Sequence, residues 1–388
     1  MVDDAVRSDV QMGVDAVVLM SERLMALFAV CEATGASDVH LACGQIPRLR
    51  LQGRLVPHSA FPVFEPETVD ALAMELGLET LPAGCPDGTE RVRKTLVREG
   101  AIDGAVTSPG GSRYRFNLFR DAGRTAVALR RLDSGFRSLD ALGLPARLGE
   151  FCSCTDGLVI VTGPTGSGKS TTLATLIDTI NRSRQGHIIT IEDPIEFVHP
   201  SRQCLVNQRQ VGRDAKSFND ALVEAMRQDP DVILVGEIRD LETFRTAVMA
   251  SETGHLVFAT LHAGDCAGAI ERFVSVFPAE EQEGVRHQLA LVLRGIFAQH
   301  LLPAVGGGRV AACELLVNTT AVANLVATGR TAQIYSLIET GARVGMVTLD
   351  QSLADLLSRG RITEQVALSL TRNPEALRAR MRLERTVV

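Results

Sequence analysis

The chain has 388 residues, of which 45% are hydrophobic and 22% charged, and its formal net charge is −6. This length suggests two or three domains, and the apolar fraction is ample for burying their cores. The acidic balance offers no chain-wide attraction to nucleic acid or to an anionic membrane. No apolar stretch approaches the ~20 residues of a membrane span, and the acidic N-terminus does not resemble a signal peptide, so we expect a cytoplasmic protein.

The N-terminal part of the chain predicts a small α/β domain. Residues 1–21 show no clear period and are interpreted as a leader. The domain itself covers residues 22–132, and turn residues over 133–145 predict a linker after it. Its predicted elements are helices over Leu24–Thr34 and Glu67–Leu78 and strands within Ser37–Leu41, Pro47–Val56 and Gly111–Arg131.

In residues 146–303 the sequence pattern changes and predicts strands that alternate with helices. Because the strands are apolar without alternation, they predict a parallel sheet covered on both faces. The strands are Leu158–Val161, His187–Ile191, Val232–Val235 and Leu256–Leu261, and the helices are Ser170–Asn181, Phe218–Arg227 and Leu241–Ser251. From Glu280 onward the pattern is mostly helical, which predicts a mainly helical C-terminal region over 304–388.

A complete phosphate-binding loop follows the first of these strands. Its pattern, G-x-x-x-x-G-K-[ST], needs glycines so that backbone N–H groups can curl around phosphates, a lysine for the β/γ oxygens and a hydroxyl for Mg²⁺. A helix after the loop directs its positive N-terminus at the same anion. The loop therefore predicts that the chain binds a nucleoside triphosphate with Mg²⁺. The predicted binding residues are Gly163, Pro164, Thr165, Gly166, Ser167, Gly168, Lys169, Ser170 and Thr171.

Polar residues follow the other strands at the edge where an open α/β sheet binds ligands. Glu196, Glu237 and either Glu192 or Asp193 are candidates for holding the metal's waters and orienting an attacking water. His262 ends a strand and is predicted to sense phosphate. His255 begins the same strand and is interpreted as a structural histidine.

Four stretches of the chain stand out as sequence boxes: Thr162–Thr172, Thr190–His199 (TIEDPIEFVH), Arg227–Asp240 (RQDPDVILVGEIRD) and Thr253–His262 (TGHLVFATLH). They resemble the four boxes of the type II/type IV secretion ATPases, and the closest likeness is to the PilT-type pilus retraction motors. The likeness continues in ASDVHL, FPAEE and QIYSLIETGARVGMVTL and covers roughly residues 22–372.

The resemblance implies a hexameric ring in which a PAS-like N-terminal domain precedes a RecA-like ATPase domain. It implies that Lys169 and Ser170 hold phosphate and Mg²⁺ and that Glu196 is the catalytic glutamate. Glu237 corresponds to the Walker B acid, which holds Mg²⁺ directly or through water, and His262 to the histidine-box residue. Arginines of the N-terminal domain are expected to complete the site between subunits. Arg115 and Arg130 match those positions best, whereas Arg113 is equally well a solvated strand residue.

The implied function is pilus retraction in twitching motility. The implied partners are an inner-membrane pilus platform protein and a second pilus motor ATPase. The protein is expected to contact the membrane only peripherally, at its cytoplasmic face. No nucleic-acid partner is expected. The four-cysteine zinc site of assembly-type relatives is absent, which favours the retraction branch. Retraction members usually carry Ala-Ile-Arg-Asn-Leu-Ile, however, and here Ala323 replaces the arginine.

Two other function classes stay open. A DNA-translocating RecA-like motor shares the phosphate loop and the ring, but the chain lacks a basic stripe with interleaved aromatic residues. A non-catalytic accessory subunit would bind ATP and modulate a true motor, which Lys169, Glu196 and Glu237 argue against.

Overall fold

The structure is a computed structural model that describes residues 20–82, 84–132, 135–375 and 377–378. The described chain divides into two compact units. The first runs to Gly135 and also contains the segments Asp193–Val198 and Gln210–Lys216, and the remaining residues form the second unit. The predicted leader lies almost entirely outside the described residues, and the domain boundaries taken from the sequence stay a prediction.

In its described residues, the first unit is an antiparallel sheet of six strands with three helices. The sheet order is β3-β2-β1-β6-β5-β4, and every neighbouring pair is antiparallel. The strands are β1 (Asp38–Ala42), β2 (Arg48–Leu51), β3 (Arg54–Pro57), β4 (Ala101–Thr107), β5 (Arg113–Asp121) and β6 (Arg124–Arg131). The helices are α1 (Glu22–Thr34), α2 (Pro66–Leu78) and α3 (Gly88–Glu99).

Local sequence explains why α1 begins and ends where it does. The Ser21 hydroxyl accepts a hydrogen bond from the Leu24 N–H at the N-terminus. Gly35 ends the helix with a φ of 67°, a left-handed conformation that favours glycine. Leu24, Leu27 and Phe28 recur at helical spacing and are all buried in the core of this unit. The sequence pattern had not predicted α3 or β4.

The second unit is built on a seven-stranded sheet in the order β13-β12-β7-β11-β10-β8-β9. Strands β12, β7, β11, β10 and β8 run parallel to their neighbours in that series, whereas β13 pairs antiparallel with β12. The strands are β7 (Gly157–Thr162), β8 (Gly186–Glu192), β9 (Cys204–Gln210), β10 (Val232–Val235), β11 (Leu256–Leu261), β12 (Leu293–Pro303) and β13 (Arg309–Val317). The predicted parallel sheet is therefore confirmed at its centre.

Helices follow the strands of this sheet as the alternating pattern predicted. They are α4 (Lys169–Ser183), α5 (Phe218–Ala225), α6 (Leu241–Glu252), α7 (Cys266–Ser275) and α8 (Gln282–Val292). Carboxylates cap two of them, since Asp240 accepts from the Thr243 N–H and Asp265 from the Gly268 N–H. In each helix the carboxylate satisfies one of the backbone N–H groups that the first turn leaves unpaired.

The mostly helical pattern predicted after Glu280 is wrong for two segments. Leu293–Pro303 and Arg309–Val317 are long strands. Both are buried over most of their length and therefore lack the alternation of a half-exposed strand. The helical C-terminal part begins after them, with α9 (Thr320–Ala327), α10 (Ile334–Thr340), α11 (Leu349–Ser358) and α12 (Glu364–Leu370). Across the described residues, no helix combines the length and the apolar character that crossing a membrane requires.

Candidate functional site

The phosphate loop joins the buried strand β7 to the first turn of α4. Gly163 and Gly168 have φ values of 143° and 93°, which residues with a Cβ atom rarely adopt. A Cβ atom at Gly163 would lie 2.3 Å from the carbonyl oxygen of Gln299. The loop can therefore take this backbone path only if residue 163, the first position of the pattern, is glycine.

Several polar groups of the loop lie near the N-terminus of α4. The Lys169 Nζ atom donates to the carbonyl oxygens of Gly163, at 2.8 Å, and Pro164, at 3.1 Å. The Ser167 Oγ atom is buried and has no hydrogen-bond partner within the described part of the chain. Ser170 is exposed in the first turn of α4. Backbone N–H groups, an ammonium and hydroxyls at a helix N-terminus together suit a bound phosphate.

Gln299 supports this loop from β12, a contribution that the sequence analysis missed. Its Oε1 atom accepts from the Thr172 Oγ1 atom of α4 at 2.6 Å, and both residues are buried. Its backbone and side chain also pack against Gly163 and Gly168. The only available signal was a polar residue inside the apolar run around Phe297, which the helical interpretation of this segment concealed.

Glu237 and His262 lie together after two neighbouring strands. The Glu237 Oε1 atom is 3.1 Å from the Nε2 atom of His262, and its Oε2 atom accepts from Arg239 at 2.5 Å. Burial alone would raise the pKa of Glu237, but the hydrogen bond and charge of Arg239, with the charges of His262 and Lys169, hold that pKa below its usual value. The carboxylate is therefore anionic beside the phosphate loop.

The strand register explains this convergence. Val235 of β10 pairs with Ile191 of β8 and with Ala259 of β11, so the residues after these strands reach the same edge of the sheet. His255 lies at the opposite end of β11, where its Nδ1 atom is 2.9 Å from the Ala250 carbonyl oxygen. This contact agrees with the structural role predicted for His255.

Glu192 ends β8 at the same edge. Its Oε1 atom accepts from the Thr190 Oγ1 atom at 2.6 Å and from the Gln208 Nε2 atom at 3.2 Å. Two neutral donors thus fix the carboxylate within the second unit. Asp193, its alternative in the sequence analysis, belongs to the first unit.

Glu196 belongs to the segment 193–198, which is part of the first unit. Its Oε1 atom lies 3.7 Å from the Nη1 atom of Arg115, and its side chain is 26% exposed. Arg113 donates from Nε to the Ile195 carbonyl oxygen at 3.1 Å, and so holds the backbone of the same segment. Arg113 therefore fixes the backbone of the segment 193–198 within the first unit, a contact that its residue type alone did not indicate.

Arg130 lies directly across from Arg115 in the pairing of β5 with β6. Its Nε atom contacts the Oδ1 atom of Asp38 at 2.8 Å. Asp38 is buried and was not among the predicted site residues, although it belongs to the stretch ASDVHL. The two candidate arginines thus share one face of the six-stranded sheet.

The predicted site residues therefore fall into two groups. Lys169, Ser170, Glu237 and His262 come together in the second unit, and Glu196, Arg115 and Arg130 belong to the first. In the described residues, no three His, Cys, Asp or Glu side chains form a cluster that could hold a metal by themselves. An Mg²⁺ ion at this site would consequently need phosphate oxygens and water among its ligands.

Known proteins match this chain over most of its length. The family described as "Type II/IV secretion system protein" matches residues 115–339. The type IV pilus retraction ATPase PilT of Pseudomonas aeruginosa is 43% identical over 349 residues, which are 90% of this chain and 98% of that protein. A twitching motility protein of Neisseria gonorrhoeae is 44% identical over 286 residues, 74% of this chain and 76% of that protein.

A solved structure agrees with these matches. The crystal structure of the pilus retraction motor PilT with bound ADP has a TM-score of 0.82 and 43% identity to this chain, covering 92% of this chain and 98% of that one. The predicted α/β fold class and the predicted resemblance are thereby confirmed. The chain belongs to the type II/IV secretion system protein family.

Proposed function

We propose that this chain is an ATP-hydrolysing motor of a type IV pilus system and that it drives pilus retraction. The observation that carries the proposal is the phosphate loop of α4 with the Glu237–His262 pair beside it, in a chain 43% identical to a pilus retraction ATPase over 90% of its length. The loop supplies phosphate binding, and the anionic glutamate supplies a ligand for the metal or its waters.

The residues have distinct roles in this proposal. Lys169 exchanges its carbonyl contacts for the β/γ oxygens of ATP, and the backbone N–H groups of the loop hold the phosphates. Glu196 orients the attacking water, and Arg115 and Arg130 neutralise the charge on the transferring phosphoryl group. His262, at 3.1 Å from Glu237, responds to the γ-phosphate through that contact.

The residues present fit Mg²⁺ together with a nucleotide. Ser167 has a buried hydroxyl without a partner in the described residues, a Cβ atom at Gly163 would lie 2.7 Å from that hydroxyl, and the pKa of Glu237 is lowered. The Ser170 hydroxyl and the Glu237 carboxylate would hold the ion, the latter directly or through water. When bound, Mg²⁺ would neutralise phosphate charge.

We further propose a homo-hexamer at the cytoplasmic face of the membrane, in contact with a pilus platform protein and with a second pilus motor ATPase. The support is the similarity to pilus motors, together with the division of the site residues between two units of the fold.

A non-catalytic accessory role is disfavoured because Lys169, Glu196 and Glu237 are all present. A DNA-translocating role is disfavoured by the net charge of −6.

The experiment is retraction measured in a strain from which every other retraction motor has been deleted. Expressing this chain should restore pilus retraction, and expressing Lys169→Ala at the same level should not. ATP turnover by the purified chain is measured in parallel. Turnover without restored retraction would reduce the proposal to an ATPase that assists another motor, and absence of both would contradict it.

A further inference from the structure

A row of charged side chains crosses four strands of the first unit. Asp38 of β1 pairs in register with Arg50 of β2 on one side and with Arg130 of β6 on the other. Arg130 in turn pairs with Arg115 of β5. Because cross-strand partners project to the same face of a sheet, these four residues form one row. We call it the arginine row.

Asp38 is the only acid among the four residues of the arginine row, and each of the two carboxylate oxygens of Asp38 contacts an arginine. The Oδ1 atom lies 2.8 Å from Arg130 Nε, and the Oδ2 atom lies 3.4 Å from Arg50 Nε. The Ser37 hydroxyl donates to Oδ2 at 2.7 Å. The Asp38 side chain is only 9% exposed, so this carboxylate is fixed between the two arginines.

The contact uses one edge of the Arg130 guanidinium. Its Nε atom faces Asp38, whereas 71% of the side chain is exposed. An arginine binds phosphate through a planar fork of N–H groups, and this geometry leaves the Nη1 and Nη2 edge outside the Asp38 contact. Holding the Nε edge therefore limits the directions in which the remaining fork can point.

We propose that Asp38 is a positioning residue for ATP hydrolysis, which fixes Arg130 so that its outer fork meets the transferring phosphoryl group. This inference rests on the proposed function and on the role of Arg130 within it. Arg50, on the other oxygen of Asp38, braces the carboxylate from the opposite side. Without Asp38, Arg130 keeps its charge but samples many rotamers, and the fraction that is correctly oriented falls.

The alternative is that Asp38 only stabilises the sheet by linking β2, β1 and β6. A mutant cycle distinguishes the two roles, because residues that act through one another do not have multiplicative effects. The variants are Asp38→Asn, Arg130→Ala and the double variant, each assayed in the assembled full-length protein. Glu90→Gln is the matched control, since it neutralises an acid that is paired with Arg93 and Lys94 on the exposed surface of α3.

We expect Asp38→Asn to lower kcat by about ten- to a hundredfold, the effect of misplacing a catalytic group, with KM for ATP changed little. The double variant should be no slower than Arg130→Ala alone, within about twofold, and Glu90→Gln should match the unsubstituted protein. Asp38→Glu keeps the charge but displaces it by one methylene. It should lower kcat in the same non-multiplicative way without lowering the thermal midpoint, and it replaces Asp38→Asn if that variant does not fold.

Multiplicative effects of Asp38 and Arg130 on kcat, or unchanged kcat in Asp38→Asn, would overturn the inference. Failure of the proposed function would look different. In that case the unsubstituted protein would not hydrolyse ATP, or Lys169→Ala would hydrolyse it equally well.

Discussion

His262 Nε2 and Glu237 Oε1 lie 3.1 Å apart, although the two residues follow different strands of the sheet. The parallel pairing of β10 with β11 brings the ends of those strands together. In the proposed mechanism Glu237 holds the metal, and a histidine that contacts this carboxylate can respond to the presence of the γ-phosphate by changing that contact. The pair therefore joins the sensing of nucleotide to the binding of its metal in the proposed mechanism.

We expect Glu237→Gln to abolish most ATP turnover and to raise the Mg²⁺ concentration needed for the remainder. The amide is nearly isosteric, but it removes the negative charge that favours the metal and its waters. Turnover is measured against Mg²⁺ concentration, with Glu242→Gln in the first turn of α6 as control. If turnover by Glu237→Gln depends on Mg²⁺ concentration as it does in the unsubstituted protein, Glu237 has no role at the metal.

Glu196→Gln should retain ATP binding while hydrolysis falls by about two to four orders of magnitude, the range of a general base. The Arg115 contact at 3.7 Å is an ion pair that the amide weakens, so Arg115→Ala is the comparison variant. Nucleotide binding and single-turnover hydrolysis are measured separately. If Glu196→Gln hydrolyses ATP normally while Glu237→Gln is inactive, the base is Glu237.

Much of the second unit could be predicted from the sequence because its strands and turns carry strong local signals. The run Leu158–Val161, the phosphate loop and the helix after it are consecutive in the chain, so no long-range contact was needed to find them. Glu237 and His262 could be placed at one sheet edge by the rule for parallel sheets alone. The four resembling stretches then supplied roles that the residue types left open.

The supporting contacts could not be predicted, because they join residues far apart in the chain. Gln299 reaches Thr172 through the pairing of β12 with β7, and Asp38 reaches Arg130 through the pairing of β1 with β6. Strand pairing is a long-range property that composition does not encode. Nor did the sequence show that Glu196 belongs to the same compact unit as Arg115.

A buried histidine should make stability depend on pH. Burial lowers the pKa of His199 from its usual value of 6.5 to about 4, and the charge of Asp178 only partly opposes this shift. Between these two values the unfolded chain binds a proton that the folded chain does not, so stability should rise with pH across that window. The shift corresponds to about 3 kcal/mol.

The measurement is the urea midpoint at pH 4.5 and at pH 7 for the native chain and for His199→Gln. The ring of His199 packs on Phe136 with centroids 4.8 Å apart, so the substitution also lowers stability at both pH values. Only the pH-dependent part tests the prediction. If the urea midpoint changes equally between the two pH values in both proteins, His199 is not the source of the pH dependence.

Mixed assemblies should reveal that the arginines act on a neighbouring subunit's nucleotide. Lys169→Ala and Arg130→Ala chains are each expected to be inactive alone. When they are combined, some interfaces carry an intact phosphate loop and an intact arginine, and turnover should return. Co-assembly is verified with differently tagged chains. Mixed rings that stay inactive would indicate a site completed within a single chain.

We propose that the loop at residues 163–170 binds the ATP that this protein hydrolyses, and steady-state turnover of Lys169→Ala tests this most directly. Lys94→Ala is the control, because that lysine lies on the exposed surface of α3 beside Glu90. We predict that turnover falls at least about a hundredfold in Lys169→Ala, as when a group that stabilises the transition state is removed, with the thermal midpoint retained. Lys94→Ala should hydrolyse ATP normally. Hydrolysis at the native rate by a folded Lys169→Ala protein would contradict ATP binding by this loop.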